Sequence, residues 1–418
     1  MATGSSHGNA HGATVRQLLR EHADFRRLFV AAVISMAGDW FAFVALAELV
    51  TKLTGRPGAP AFVFAGTVLP MFFASPIAGW AADRFDRKTL LVLADAVRVP
   101  LALLLCVAAA VGSTMIAMTA VVLLGVAAAF HDPITSAVVP NLVPPRDLAR
   151  AQALLGAVWG AMLFVGAGLG GIVAELFGTQ TAFVVNAASF GISALLLAAI
   201  RKPMQESSAE ERRQSSHGGL RDVLKFIVRD RLVRRLVLAK IGVSSANGTV
   251  GLLPAIATVQ FPTIRLATGF LFAARGLGAM LGPMLARWIG GAAPAARTVI
   301  WMCGAATVLY VSVYSVIPLV PIFGLALVLV IVAHLGGGAQ WAMSTYGLQV
   351  ATPDSLRGRV LSLDYGLATL AIGISAVIAG VLADASNATR ATWWLCGAGA
   401  IYGIGWVIWA LALPRPRT

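Results

Sequence analysis

Several ionisable side chains fall inside long apolar runs, where each is costly and is therefore a candidate for chemistry. Asp39 lies between Gly38 and Trp40. Asp95 and Arg98 are three residues apart, so on a helix they share a face. Asp132 stands beside His131 and Pro133, and Arg275 sits in the middle of its run. The chemistry these groups offer is proton exchange, in which a carboxylate loads and releases a proton and a nearby cation displaces it. Such a carboxylate needs apolar neighbours and a water path to both sides. Asp39 meets that need best and Asp132 second, with Arg275 as the cation that prompts release. A structural reading stands beside each of these. In it, Asp95 and Arg98 simply cancel charge, Asp39 is a counter-ion for Arg98 or Arg275, and His131 packs between helices. Glu48, Glu175 and Asp364 lie near run ends and are expected to reach water.

No nucleophile–base pair or metal-ligand cluster is visible, and no glycine run is followed by the Lys-Ser/Thr of a phosphate loop. The chain therefore reads as no enzyme, with no cofactor, driven by an ion gradient (the proton gradient first) or by substrate flow. Cys106, Cys303 and Cys396 each lie in an apolar run and have neither disulfide nor metal spacing.

The scaffold that positions these groups must be a membrane one. Of 418 residues, 58% are hydrophobic and only 12% charged, and the mean hydropathy is +0.82. A soluble fold has too little polar surface to carry that composition, and disorder is excluded by the same figures. A barrel is excluded because its strands alternate over short segments. Apolar runs occur at 28–51, 61–82, 89–111, 114–140, 150–175, 180–200, 236–258, 266–289, 298–316, 318–348, 359–383 and 391–413. Each is long enough for a helical span of about 20 residues. The first 24 residues are polar with no apolar h-region, so the first span is expected to serve as its own insertion signal.

Of 32 Lys and Arg, 26 fall in the amino end and the even-numbered loops, four on the opposite side, and Arg98 and Arg275 inside spans. That bias places both ends in the cytoplasm of a cell-membrane protein. It also accounts for the net charge of +14 by attraction to the inner leaflet, without nucleic acid. The organisation is a tail at 1–27, a six-helix bundle at 28–200, a cytoplasmic segment at 201–235, a second bundle at 236–413 and a tail at 414–418. Within the central segment, 203–219 reads as a flexible linker. Leu220, Val223, Leu224 and Ile227 then recur at helical spacing among basic residues, which predicts an amphipathic helix on the inner leaflet. Pro145-Arg-Asp-Leu-Ala-Arg150 and Pro353-Asp-Ser-Leu-Arg-Gly-Arg359, 208 residues apart, suggest two parallel repeats.

Gly79-Trp-Ala-Ala-Asp83-Arg84-Phe-Asp86-Arg87-Lys88 resembles the cytoplasmic signature of the major facilitator superfamily, with Asp86 in place of the usual second Gly. Met36-Ala-Gly-Asp-Trp40, the segment from Pro133 through Pro145, and Leu356-Arg-Gly-Arg-Val360 are similar to the branch holding enterobactin exporters and macrolide efflux pumps. Gly160 and Gly166-Ala-Gly-Leu-Gly-Gly171 resemble the superfamily's antiporter signature, with Ala167 for the usual Pro and Met162 for the first Gly. Gly276, Gly278 and Gly282 with Pro283 could do a matching job in span eight or simply pack helices.

The resemblance implies an all-α membrane protein with the major facilitator fold, twelve helices in two six-helix pseudo-repeats rocking about a central cavity. It implies proton-coupled efflux of small amphiphilic molecules of drug or siderophore class. A lysophospholipid flippase of the same fold is the second reading. A non-transporting sensor or scaffold is the third, against which the intramembrane charges speak. The partners expected are a small-molecule substrate and the bilayer, with the monomer as the working unit. The signature loop, Gly79, Asp83, Arg84, Arg87 and Lys88, is implied to latch the inner side, and Asp83 facing the amino end of span eleven supplies a physical reason. A carboxylate at a helix amino terminus is favoured by ~0.3–1 kcal/mol. By the same analogy spans one, four, seven and ten line the cavity. Candidate contacts there are Trp40, Phe43, Asn247, Gln340, Trp341 and Tyr346, with Ser244, Ser245, His334 and Ser344 nearby. Trp159 also lies deep, whereas Trp80, Trp288, Trp393, Trp394, Trp406 and Trp409 read as interface anchors.

Overall fold

A computed structural model describes residues 15–205, 220–291 and 294–411, without the side chains of Asp83, Asp132, Ala149, Leu220, Asp354 and Ser355. The calls resting on the Asp83 and Asp132 side chains thus lie outside the described residues. Among the described residues there is no strand. Twelve helices are long and apolar enough to cross a bilayer. Spans 1 to 6 are Ala23–Thr54, Ala59–Ala82, Arg87–Val111, Thr114–Ala137, Pro145–Phe177 and Thr179–Ala198. Spans 7 to 12 are Arg231–Gln260, Ala267–Gly290, Ala296–Leu319, Phe323–Ala351, Leu356–Ala385 and Ala388–Leu411.

Most helices outrun the apolar stretches that announce them. Span 1 has 32 residues, about 48 Å at 1.5 Å per residue against a hydrocarbon core of about 30 Å. Hydropathy marks only the part in lipid, and the caps set the ends. Asp86 accepts from the backbone N–H of Thr89 at 2.8 Å and starts span 3, so the residue that departs from the signature is a helix cap. Ser113 caps span 4 in the same way. Gly55 and Gly112 end spans 1 and 3 at φ 64° and 66°, the left-handed conformation that favours glycine.

Span 7 is the irregular one. It runs as helix over Arg231–Ala239 and Ile241–Ala246, tightens to a 3-10 turn over Asn247–Leu252, and resumes over Leu253–Gln260. The tightening lets its backbone approach its neighbours. A Cβ on Gly251 would fall 2.6 Å from Ala61 Cα in span 2.

An even number of spans puts both described chain ends on one face, here the terminal face. At the opposite, far face, one hydrophobic core joins the halves. It holds Val44, Ala61 and Phe64 of spans 1 and 2, Leu163 and Ala167 of span 5, Leu271 and Phe272 of span 8, and Ala376 and Ala379 of span 11. Spans 2 and 11, and spans 5 and 8, form the seam. At the terminal face the cores are separate. One contains only residues between Leu18 and Met204, the other only residues between Val223 and Ala410. The halves are thus joined at the far face and parted at the terminal face, which leaves a cleft between them.

Two expectations about the central segment change. Met204 is buried in the core of the first half and Gln205 donates to the Phe85 carbonyl at 3.2 Å, so the start of the expected linker is docked. The helix Leu220–Arg229 turns Val223 and Ile227 into the second half and leaves Leu224 and Val228 exposed beside Arg221, Lys225 and Arg229.

Candidate functional site

The head of the cleft is aromatic. Trp40 and Phe43 of span 1 share a turn and meet edge-on at 5.6 Å. Trp159 of span 5 joins Trp40 at 6.2 Å, and Phe272 of span 8 meets Phe43 at 5.2 Å. Among them lies Arg275, 5% exposed. Its guanidinium carbon is 5.5 Å from the Trp40 and Trp159 rings and 5.7 Å from that of Phe64. All three rings belong to the first half and Arg275 to the second. The ring faces attract the cation, each by ~0.5–2 kcal/mol. Its Nε and Nη1 find no hydrogen-bond partner, so the cage holds a charge that its hydrogen bonds do not satisfy.

Asp39 was expected to be buried among apolar neighbours. It is exposed. It shares a helical face with Phe43, four residues on, and Phe43 touches the other half. Asp39 therefore lies one turn nearer the terminal face than Phe43. Gly38, beside it, turns toward Asn186 and Ser189 of span 6.

Behind the cleft, inside the first half, Asp95, Arg98 and His131 come together. Arg98 Nη1 lies 3.4 Å from Asp95 Oδ1 and 3.4 Å from Ser35 Oγ, and His131 Nε2 lies 3.5 Å from Asp95 Oδ2. The Phe190 ring covers Arg98 at 5.1 Å. All three groups are buried. The i, i+3 pair is the one anticipated from spacing, and His131 joins it from span 4.

The second half holds a pair that the sequence reading missed. Lys240, counted there with the basic cytoplasmic residues, is 1% exposed inside span 7. It donates to Asp364 of span 11 and, at 3.0 Å, to Thr345 Oγ1 of span 10. Asp364, expected to reach water, is 2% exposed. The available signal was that Lys240 falls within the apolar run 236–258, where a charge asks for a partner.

Gln340, Asn247 and His334 sit buried inside the second half. Gln340 donates to the Ala239 carbonyl at 2.8 Å and to Thr307 Oγ1 at 2.9 Å. Asn247 donates to Tyr310 Oη at 3.3 Å, and His334 Nε2 lies 2.8 Å from Tyr314 Oη. Tyr346 packs against the core of this half. Trp341 is half-buried, edge-on to Tyr365 at 5.8 Å. Trp406, read as an interface anchor, is buried and donates to the Arg235 carbonyl at 2.9 Å.

The signature loop is docked on its own half. Arg87 Nη1 donates to the Ala137 carbonyl at 3.3 Å and Lys88 Nζ to the Ile200 carbonyl at 2.7 Å. Arg84 lies over Trp80 at 5.6 Å, and Gly79 has open space beside it. The glycines of span 5 are contact points: Gly166 meets Ala37 and Trp40, and Gly170 meets Phe41. Gly276 packs on span 5, where a Cβ would fall 2.4 Å from the Phe164 nitrogen, whereas Gly278 and Gly282 pack on span 10.

Among the described residues, two ion pairs at the far face cross between the halves. Arg56 Nη2 lies 2.6 Å from Asp384 Oδ2, and Arg265 Nη1 lies 3.1 Å from Glu175 Oε1. Asp384 Oδ1 also accepts from the Gly58 N–H at 2.9 Å, the capping residue of span 2. Among the described residues no cluster of side chains has the makings of a metal site.

The family model described as transmembrane secretion effector matches residues 18–416. The multidrug efflux pump Tap of Mycobacterium tuberculosis is 27% identical over 380 residues, spanning 86% of this chain and 87% of that protein. A bacterial homologue of the human lysosomal transporter Spinster, solved in an inward-facing conformation, aligns at a TM-score of 0.71 and 15% identity, covering 93% of this chain and 94% of that one. The transporter PepTSo of the POT family aligns at 0.73 and 12% identity over 94% of this chain and 98% of that one.

Proposed function

The chain belongs to the transmembrane secretion effector family of the major facilitator superfamily, multi-pass membrane transporters of the drug-efflux kind, and on that premise we propose that it exports small amphiphilic molecules in exchange for protons. The observation that carries this reading is the arrangement of the cores, one shared at the far face and two separate at the terminal face. We take the terminal face as cytoplasmic, a reading that the charge bias of the loops supports. The cleft is then open to the cytoplasm, the state in which an exporter loads.

A substrate entering the cleft meets Trp40 and Trp159 at its head and Trp341 on its flank. Broad aromatic faces with few fixed polar groups suit amphiphilic molecules of drug size. Release on the other side requires the far face to part. The pairs Arg56–Asp384 and Arg265–Glu175 then break, and Arg275 leaves its three rings. The exposed ion pairs are each worth only ~0–1 kcal/mol, so the apolar seam and the aromatic cage set most of the barrier. Asp39, exposed on span 1, loads its proton when the cleft faces outward and loses it when the cleft faces inward. Asp132 is the second candidate for that step.

Transport by the purified protein in vesicles, with an imposed pH gradient, tests the reading on drug cations, siderophores and lysophospholipids. Drug accumulation that collapses with a protonophore is expected. Accumulation indifferent to the gradient would remove the proton, and movement of lysophospholipid alone would remove the drug class.

A further inference from the structure

On the outer side of the second half, spans 11 and 12 part along a groove that the transport cycle does not use. It runs from Ala371 to Leu382 on span 11 and from Trp394 to Ala398 on span 12, with Ser245 of span 7 at its floor and a volume of about 450 Å³. We propose that this groove is a phospholipid site, which seats one acyl chain of an anionic lipid from the leaflet at the far face and places its phosphate on Arg390. The site is separate from the cleft and holds whichever way the substrate moves.

Position identifies the occupant as lipid. Span 11 ends and span 12 begins at the far face, where the halves share one core and the cleft does not reach. Side chains left uncovered there face the bilayer. Ile374, Ile378 and Trp394, on the rims of the groove, are 48%, 45% and 70% exposed. From Ala371 to Leu382 the helix rises about 16.5 Å, against about 15 Å for half the hydrocarbon core. The groove thus has the depth of one leaflet and the length of one chain.

Its polar groups are spent on the fold. Ser375 Oγ donates to the Ser245 carbonyl at 2.6 Å and accepts from the Gly248 N–H at 2.9 Å. Ser245 Oγ donates to the Gly242 carbonyl at 2.9 Å. The 3-10 turn of span 7 presses Gly248 onto span 11, where a Cβ would fall 2.2 Å from the Ser375 carbonyl oxygen. A polar solute finds neither hydroxyl free at this floor, whereas a hydrocarbon chain needs none.

The far end supplies the charge. Arg390 stands one turn before Trp394 on the same face of span 12. Long side chains on a helix lean toward its amino end, here the far face. The Arg390 N–H donates to Asn387 Oδ1 at 2.8 Å, which fixes this first turn. Arg390 is exposed, and its guanidinium has no ion pair among the described residues, whereas Arg56 and Arg265 at the same face are bound to Asp384 and Glu175. A free guanidinium above an apolar groove complements a phosphate above an acyl chain. A zwitterionic headgroup brings its own ammonium, which the guanidinium repels. One basic residue at a membrane surface favours anionic lipid roughly fivefold.

Quenching by brominated lipids tests the site, with the full-length protein in phosphatidylcholine vesicles. Bromine on an acyl chain quenches a tryptophan that it touches, and the difference between wild type and Trp394→Phe isolates the signal of Trp394. Brominated phosphatidylglycerol should quench that signal at a roughly fivefold lower mole fraction than brominated phosphatidylcholine. The basic loops gather at the opposite face and do not enrich anionic lipid beside Trp394. Arg390→Gln should make the two lipids equal. Ala398→Phe fills the groove with Arg390 intact and should also make them equal. Both positions are exposed, so neither change disturbs the core. Equal quenching by the two lipids in the wild type would overturn the site and leave a surface covered by bulk lipid. An undiminished preference in Arg390→Gln would overturn the phosphate contact, and one in Ala398→Phe would overturn the groove as the seat of the chain.

Discussion

Replacing Asp384 with Ala should shift the protein toward the conformation open at the far face. Asp384 ends span 11 and grips the start of span 2 through the Gly58 N–H at 2.9 Å and the Arg56 guanidinium at 2.6 Å. A hydrogen bond to an ionised acceptor is worth ~1.5–3 kcal/mol. The Arg56 side chain is 63% exposed, so its contribution is ~0–1 kcal/mol. Both contacts join the halves and both must break when the far face parts, so their loss favours the open state by about 2 kcal/mol, roughly a 30-fold change in its population. The assay is labelling of a cysteine placed at Ala376, which is 0% exposed in the shared core, with Cys106, Cys303 and Cys396 replaced by Ala. A membrane-impermeant maleimide applied from the far side should react roughly 30-fold faster in Asp384→Ala. Arg56→Gln should accelerate it by less than about fivefold. Equal rates in Asp384→Ala and the parent would show that the seam alone holds the face shut, and would refute the assignment of the carboxylate as its clasp.

The remaining expectations concern the coupling, the other latch, the buried charges and the topology. Asp39→Asn should abolish gradient-driven export while sparing substrate binding; surviving gradient-driven export would move the carrier to Asp132. Asp83→Asn should lose transport with near-normal membrane insertion, and normal transport would reduce the signature loop to a topology anchor. Asp95→Asn leaves Arg98 buried without its carboxylate and should destabilise by ~3–5 kcal/mol, whereas Asp95→Leu with Arg98→Met should recover most of that; thermal unfolding of the purified variants distinguishes the two. Reporters fused after Thr418 and within 203–219 should both read cytoplasm, and an external signal from either contradicts the charge-based orientation.

The clasp has a formal counterpart in the latch expected of the signature loop. Asp83 near the end of span 2 is proposed to face the amino end of span 11, and Asp384 at the end of span 11 reaches the amino end of span 2. Spans 2 and 11 run antiparallel along the seam, so a carboxylate at the end of each can favour one of two tilts. Helix termini carry the partial charge that makes such contacts selective. Two such contacts at opposite ends of one helix pair cannot both be tight, and that is what a rocking motion needs.

The amino-acid sequence alone determined the membrane scaffold. Its twelve runs are set by the thickness of lipid, which demands a fixed length of apolar helix, and the loop charges are set by the membrane's polarity. The Asp95–Arg98 pair was equally legible, because residues three apart must share a helical face. What the tertiary structure decided lies between helices far apart in the chain. Lys240 meets Asp364 across 124 positions, Gly58 meets Asp384 across 326, and Arg275 enters a cage built from three spans of the other half. Periodicity tells which residues share a face of one helix. It does not tell how that helix is rotated against its neighbours, so Asp39 was read as buried and Asp364 as wet, and the packed bundle reversed both. The tilt of the halves is likewise absent from any single span, because it belongs to the seam where small residues let spans 2 and 11, and 5 and 8, close at one end only.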